Sequence, residues 1–350
     1  MRVLVTGGTG FIGSHSVAGL IADGHSVRLL VRDPSRVPTA LGPLGVDVES
    51  IEVVLGDVTD AEAVDNALLD CDAVLHAASV NSFDSRDHAR MRRVNAAGTD
   101  VVLGVAATEG VDPIVYVSAF SALLPTEKPV ITPDGDVGRP RDTYMATKAE
   151  ADRIARDYQD AGASVVITYP GATLGPHDPH VGDQLTRLRN VLRGMMPMWP
   201  NGGCPMGDVR DVARLHVAVM ESGLEPRRLI APTRYVSTRE YMETLREVTG
   251  RSLPAAFLPA GALLPMGRLT EWMQRIVPMH IPIEYGAIYT CLVSKPVDTS
   301  ATKELLEGGQ QFDLKRSLTD AVRWLYGKGL ISRRMAGTAI SASAGSWGGR

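Results

Sequence analysis

The chain has 350 residues, 44% of them hydrophobic, and a net charge of -4 from 40 acidic and 36 basic side chains; that length buries a substantial core without disulfides or metals, as one large or two coupled domains. Interspersed charge leaves no basic face for a phosphodiester backbone, so no nucleic-acid partner is expected, and no uncharged apolar run reaches the roughly 18 residues of a transmembrane segment. Cys71, Cys204 and Cys291 are far apart and odd in number, which reads as thiols in a reducing compartment. A strand beginning at the first methionine leaves no room for a signal peptide, so a cytoplasmic location is expected.

In chain order, the apolar strand Arg2 to Thr6 leads into Thr6-Gly7-Gly8-Thr9-Gly10-Phe11-Ile12-Gly13, and a helical pattern runs from Gly13 to Gly24. This is the layout of a dinucleotide phosphate cradle: Gly7 permits the tight turn, Gly10 lets backbone approach a pyrophosphate, and Gly13 lets the helix pack on the strand. Thr9, Phe11 and Ile12 complete the expected phosphate contacts at the positive helix end. The second strand, Ser26 to Val31, ends at Arg32-Asp33-Pro34-Ser35-Arg36, where such a fold faces the adenosine ribose. Arg32 stands where an acid is usual, with Arg36 four positions on; guanidinium groups suit a 2′-phosphate, so NADP(H) is expected over NAD(H). In the competing reading Asp33 takes the ribose hydroxyls while Arg32 stacks on the adenine. A third strand, Val48 to Leu55, closes on Gly56-Asp57-Val58, where Asp57 either accepts from the adenine amino group or caps the helix Ala61 to Leu69. A fourth, Ala73 to His76, closes on Ala77-Ala78-Ser79, small enough for backbone to lie against a cofactor, with His76 a packed, hydrogen-bonded histidine.

A helix over Ala89 to Glu109 and a strand over Ile114 to Ser118 follow, then a Pro- and Gly-rich loop, Pro133 to Pro140. The next helix, Asp142 to Gly162, carries Tyr144 and Lys148 one turn apart, so both reach the same point above a nicotinamide. A tyrosine acting near neutrality needs its pKa of about 10 lowered, and a nearby ammonium favours the phenolate. The strand Ser164 to Tyr169 and the turn Pro170-Gly171 end this alternation. Helices are then expected near Asp211 to Ser222, with Asp211 as cap, Thr238 to Thr249 and Leu314 to Gly327. The class is α/β: a Rossmann-type doubly wound parallel sheet over 1–170, a smaller C-terminal substrate-binding lobe over 171–334 with some segments returning to the sheet, and a flexible tail over 335–350.

In order and spacing, Thr6 to Gly13, Gly56-Asp57, His76 to Ser79, Asn95 to Thr99, Tyr116-Val117-Ser118, Tyr144 to Lys148, Tyr169-Pro170-Gly171 and Gly175-Pro176 resemble an extended short-chain dehydrogenase/reductase of the NAD-dependent epimerase/dehydratase family. The likeness covers nearly all of the chain and is greatest to the branch of 3β-hydroxysteroid dehydrogenases and dihydroflavonol reductases. It implies a seven-stranded sheet, Tyr144 as proton donor or acceptor, Lys148 as its pKa modifier, Asn95 as a structural active-site asparagine, and Pro170-Gly171 near the nicotinamide. It also makes a homodimer plausible. One position departs: the family's usual serine pair reads Ser118-Ala119 here, so the substrate-orienting hydroxyl falls to Ser118 or Ser121.

On the substrate side, Asn81, Met195, Met198 and Trp199 are expected to line an adaptable apolar wall, although methionines there equally suit gaps between lobes. Arg187, Arg189 and Arg193 suit either a diphosphate or a solvated face, and His177-Asp178-Pro179-His180 lacks the further ligands a metal site needs. Three functions follow. An NADP(H)-linked oxidoreductase acting on an apolar ketone/alcohol pair has most support; a nucleotide-sugar epimerase or dehydratase that retains NAD, and a non-catalytic NADP(H)-binding regulator, are the alternatives.

Overall fold

A computed structural model of the chain describes residues 1–81, 87–274, 285–308 and 312–341, with 271–274 described by backbone alone. Its strands are β1 (Arg2–Thr6), β2 (Ser26–Val31), β3 (Glu52–Leu55), β4 (Ala73–His76), β5 (Ile114–Val117), β6 (Val165–Tyr169), β7 (Ala172–Leu174), β8 (Met198–Pro200), β9 (Gly203–Asp208), β10 (Arg227–Ile230), β11 (Thr233–Ser237) and β12 (Ala256–Leu258). Helices α1 (Phe11–Ala22), α2 (Val37–Leu41), α3 (Ala61–Leu68), α4 (His88–Arg92), α5 (Gly98–Thr108), α6 (Thr143–Asp160) and α7 (Asp183–Leu192) fall among the earlier strands. The remainder are α8 (Val209–Ala218), α9 (Thr238–Thr249), α10 (Ala260–Gln274), α11 (Tyr285–Val293), α12 (Ser300–Leu305), α13 (Leu314–Gly327) and α14 (Arg333–Ala336).

Seven strands form one parallel sheet in the order β10-β6-β5-β4-β1-β2-β3. The order reverses at β1, which pairs with β2 on one side and β4 on the other, and ligands of such sheets bind beyond the carboxyl ends at this switch. Its central strands are apolar on both faces because helices cover both. Val17 and Leu20 of α1 pack with Val212 and Leu215 of α8 on one face; Val64, Val102, Leu103 and Ala151 of α3, α5 and α6 lie in the core on the other. A third core, built on Leu188, Trp199, Tyr241, Leu245, Leu318 and Leu325, belongs to the C-terminal lobe. Among the described residues no helix is long and apolar enough to cross a membrane.

Four expectations need correction. The stretch Val48–Ser50 is a 3-10 turn, because Asp47 accepts from the Glu49 amide at 3.2 Å and gives the backbone a local alternative to the sheet. The helix expected over 89–109 is interrupted by a π-helical turn, Arg93–Ala97, which carries Asn95. Asp211 does not cap α8: Asp208 does, accepting from the Arg210 amide at 2.9 Å, while Asp211 pairs with Arg214 at 3.3 Å. The first part of the expected tail packs on the lobe: Arg251 and Arg323 take the carbonyls of Met335 and Ala339 at 3.1 and 2.7 Å, and Ala336 and Ala339 are buried; its residues 342–350 lie outside the described residues. Asp208 is itself buried and also accepts from Arg210 at 2.7 Å and from Ser317 on α13. Asp208→Ala removes a cap and leaves these donors unmatched, so urea unfolding is expected to show a loss of about 2–3 kcal/mol. A loss below about 0.5 kcal/mol would contradict that role.

Candidate active site and cofactor cleft

Loops at the carboxyl ends of β1 to β4 enclose a cleft of about 410 Å³. Gly7, Thr9 and Gly10 line it from the first loop, Arg32 and Arg36 from the end of β2, Gly56, Asp57 and Val58 from the end of β3, and Ala77, Ala78, Ser79, Val80 and Asn81 from the end of β4. The residues fit a dinucleotide. Gly10 stands at the N-cap of α1 without a side chain to satisfy the first-turn amides of Phe11, Ile12 and Gly13, which is where an anion binds. A Cβ at Gly7 would run into the backbone of Ala77 and Ala78, and one at Gly13 into the Gly7 carbonyl, so the loop is pressed flat against the exit of β4. Arg90, Asp87, Val94 and His180 also line the cleft and were not apparent from the sequence.

At the ribose end, Arg32 forms no hydrogen bond or ion pair among the described residues. Asp33 is occupied: Oδ1 accepts from the Ser35 amide at 3.1 Å and Oδ2 from Arg36 Nε at 3.1 Å, so both oxygens close the turn. Asp57 accepts from the amide and hydroxyl of Thr59 at 3.0 and 2.9 Å, and the cap of α3 is Asp60. His76 is fully buried between the hydroxyls of Thr6 and Thr99, at 2.7 and 3.2 Å, and burial presses its pKa down to about 3.

Helix α6 starts at Thr143 because Asp142 accepts from the Met145 amide at 2.9 Å, which sets Tyr144 in the first turn and Lys148 one turn on. Lys148 is buried, with Nζ donating to the Val117 carbonyl at 3.0 Å and the Tyr116 hydroxyl at 3.5 Å. Burial lowers the ammonium to about 8, against the opposing pull of Asp152. Tyr144 is half-buried, and burial pushes its phenol up, with the carboxylates of Asp183 and Asp142 adding to the shift and Ser121 opposing it. The Lys148 ammonium is thus engaged by Val117 and Tyr116 on β5, one helical turn along α6 from Tyr144.

The two serines part ways. Ser118 donates to Asp152 Oδ1 at 2.7 Å and faces the interior. Ser121 is buried, with its hydroxyl close enough to Tyr144 to oppose the rise of that phenol. Asn95 accepts from the Val80 amide at 2.7 Å and donates to the Val80 carbonyl and Thr147 hydroxyl at 3.0 and 3.1 Å, tying the exit of β4 to α6. The π turn that carries it is a distortion frequent at functional sites. Pro170 accepts from the Phe120 amide at 3.1 Å, and a Cβ on Gly171 would strike the Thr233 hydroxyl and Pro205 carbonyl, so this turn joins β5, β6 and the lobe sheet.

Met195 and Met198 are exposed, while Trp199 is buried in the lobe core, its ring 5.7 Å from Tyr241 and its indole donating to Met196 at 3.0 Å. Strand β8 pairs with β12 in a separate two-stranded sheet. Asn81 lines the nucleotide cleft. Asp178 takes the amides of His180 and Gly182 at 3.0 and 2.8 Å, and so serves the loop.

A family model described as the NAD dependent epimerase/dehydratase family matches residues 3–230. The chain belongs to that family. Its class is that of the NAD(P)-dependent oxidoreductases. It is 26% identical to sterol demethylase protein B of Methylococcus capsulatus, over 95% of this chain and 100% of that protein. It is 28% identical to a 4-hydroxy-2-methyl-3-oxo-4-farnesyl-3,4-dihydroquinoline-1-oxide ketoreductase of Stigmatella aurantiaca, over 97% of each. In fold it is similar to the UDP-glucuronic acid 4-epimerase of Bacillus cereus solved with UDP-glucuronic acid and NAD, with a TM-score of 0.73 and 18% identity over 95% of this chain and 100% of that one.

Proposed function

We propose that this enzyme interconverts a secondary alcohol and a ketone on a fairly apolar small molecule, with NADP(H) preferred over NAD(H). The observation that carries the reading is the α6 pair, Tyr144 and Lys148, on a helix that Asn95 ties to the exit of β4 at the glycine-loop cleft, a cleft lined also by Arg32, Arg36 and Arg90. Bound in that cleft, NADP(H) supplies or takes up the hydride. The amides at the start of α1 and the loop Gly7 to Gly10 hold its pyrophosphate, Arg32 and Arg90 meet the 2′-phosphate, and Lys148 takes the nicotinamide ribose. Tyr144 gives its phenolic proton to the carbonyl oxygen in reduction and recovers it in oxidation. The names of the ketoreductase and sterol-processing relatives support an apolar substrate.

Ser121 takes the place of the serine missing at position 119: its buried hydroxyl lies beside the Tyr144 phenol, where both would reach one substrate oxygen. A donor of this kind stabilises charge developing on that oxygen. Ser121→Ala is expected to lower kcat about 10- to 30-fold with little change in cofactor affinity, whereas Ser118→Ala leaves the substrate contact in place. Equal losses from the two variants, measured in steady-state kinetics, would contradict the assignment. The reaction itself is tested by incubating the purified protein with NADPH and a panel of apolar ketones. The expected result is NADPH consumption matched by alcohol formation; conversion of UDP-sugars with tightly held NAD and no net redox change would overturn the reading.

A further inference from the structure

Helix α6 carries Tyr144, Lys148, Asp152 and Arg156 at four-residue spacing, so all four share one face. The first two handle the proton and the ribose. Asp152 lies below them, with 0% of its surface exposed. A carboxylate in such a place is costly unless it is paired and hydrogen-bonded, and here both oxygens are engaged. Its Oδ1 accepts from the Ser118 hydroxyl at 2.7 Å, and its Oδ2 accepts from Arg156 Nε at 2.9 Å and the Tyr169 hydroxyl at 3.2 Å. Ser118 directly follows Val117, whose carbonyl accepts from Lys148 Nζ at 3.0 Å. The carboxylate thus grips β5 at the residue next to the anchor of the lysine. Arg156 extends the grip by donating to the carbonyl of Gly135 at 2.8 Å and to the hydroxyl of Tyr169, one residue before Pro170, at 2.9 Å.

We propose that Asp152 is a positioning residue for Lys148: through Ser118 it fixes the carbonyl that aims the ammonium, and from one helical turn away it supplies the negative charge that keeps the ammonium protonated. The inference rests on the proposed role of Lys148 at the nicotinamide ribose. Burial drives Lys148 down to about 8 even with Asp152 opposing, so without that charge the lysine would be neutral over more of the working range. The other groups that face it do not compete in the window from pH 7 to 10. Tyr116 of β5 and Tyr144 of α6 are both pushed above the ordinary phenol range by burial, and His76 of β4 is pressed to about 3 by burial and by Lys148 itself. Burial raises the Asp152 carboxyl, and the Arg156 guanidinium, Ser118 and Tyr169 oppose that rise, while Arg156 itself is pushed up by Tyr169 and Asp152 against its own burial.

The test is the pH dependence of reduced-cofactor binding, read by the fluorescence of NADPH and of NADH between pH 6.5 and 10, in the parent and in Asp152→Asn. Affinity of the parent is expected to weaken as pH rises through about 8, where Lys148 loses its proton. In Asp152→Asn this midpoint is expected about one pH unit lower, so that affinity at pH 8 falls several-fold while affinity at pH 6.5 stays within about twofold. A loss that is the same at every pH, or an unmoved midpoint, would overturn the inference. If Asp152→Asn is not recovered folded, Asp152→Glu decides: it keeps the charge and breaks the Ser118 geometry. The expected midpoint then lies within about 0.3 unit of the parent, and a fall of a full unit with the carboxylate present overturns the proposal. Binding of NADH alone would fail the NADP(H) preference and leave the midpoint comparison intact, so the two failures are distinct.

Discussion

Tyr144→Phe is expected to lower turnover by about 10²- to 10⁴-fold while NADP(H) affinity stays within about twofold. The phenylalanine fills the same space in the first turn of α6, a turn fixed by the Asp142 cap and not by the phenol. What is lost is a proton-bearing group beside Ser121 on the helix that carries Lys148. Burial and the Asp183 and Asp142 carboxylates hold that phenol protonated, which suits a donor in the reductive direction. In the oxidative direction the same phenol must first ionise, so alcohol oxidation is expected to be favoured by alkaline pH more strongly than ketone reduction. Stopped-flow and steady-state rates beside cofactor titrations read both parts of the prediction. Turnover within about threefold of the parent would remove Tyr144 from the mechanism.

Arg32→Asp is expected to weaken NADPH binding about 100-fold and to leave NADH binding unchanged or stronger, reversing the cofactor preference. A charge-assisted hydrogen bond to a phosphate contributes about 1.5–3 kcal/mol, and a carboxylate in its place adds repulsion. Arg32 suits the purpose because it lines the cleft with no ion-pair partner among the described residues, whereas Arg36 is already shared with Asp33 at 3.1 Å. Arg36→Ala is accordingly expected to cost less. Equal NADPH-to-NADH affinity ratios in the parent and in Arg32→Asp would refute the assignment.

The nucleotide half was legible because local signals and fold agree there. The glycine loop stands between an apolar strand and a helix, and β1, β2, β4, β5 and β6 were readable from their buried runs, whereas the edge strand β10, half of whose residues are only partly buried, was not anticipated. Strand β3 was overextended because it is an edge strand, where Glu52 and Leu55 face solvent and the alternation that marks a boundary is weak. Helix α13, with one strongly apolar face, was readable to its ends. The π turn at Asn95 left no trace in helical periodicity, since one extra residue in a turn is set by the tertiary bonds Asn95 makes to Val80 and Thr147. The same distinction separates the site residues. Tyr144 and Lys148 announce themselves by spacing, and Asp152 and Arg156 continue that spacing, a signal that was present and unused. The direction of Ser118 depended on where β5 ends, and its bond to Asp152 turns it inward.

The most direct test of the central claim is to follow deuterium from NADPH labelled at C4 through a single turnover with an apolar ketone that the enzyme consumes. The account predicts that the label appears on the carbinol carbon of the alcohol product, in equal amount to the cofactor oxidised, and that Tyr144→Phe suppresses the transfer. Label that remains on the cofactor while product forms, or that returns to it with an isomerised product, would contradict an oxidoreductase of this kind.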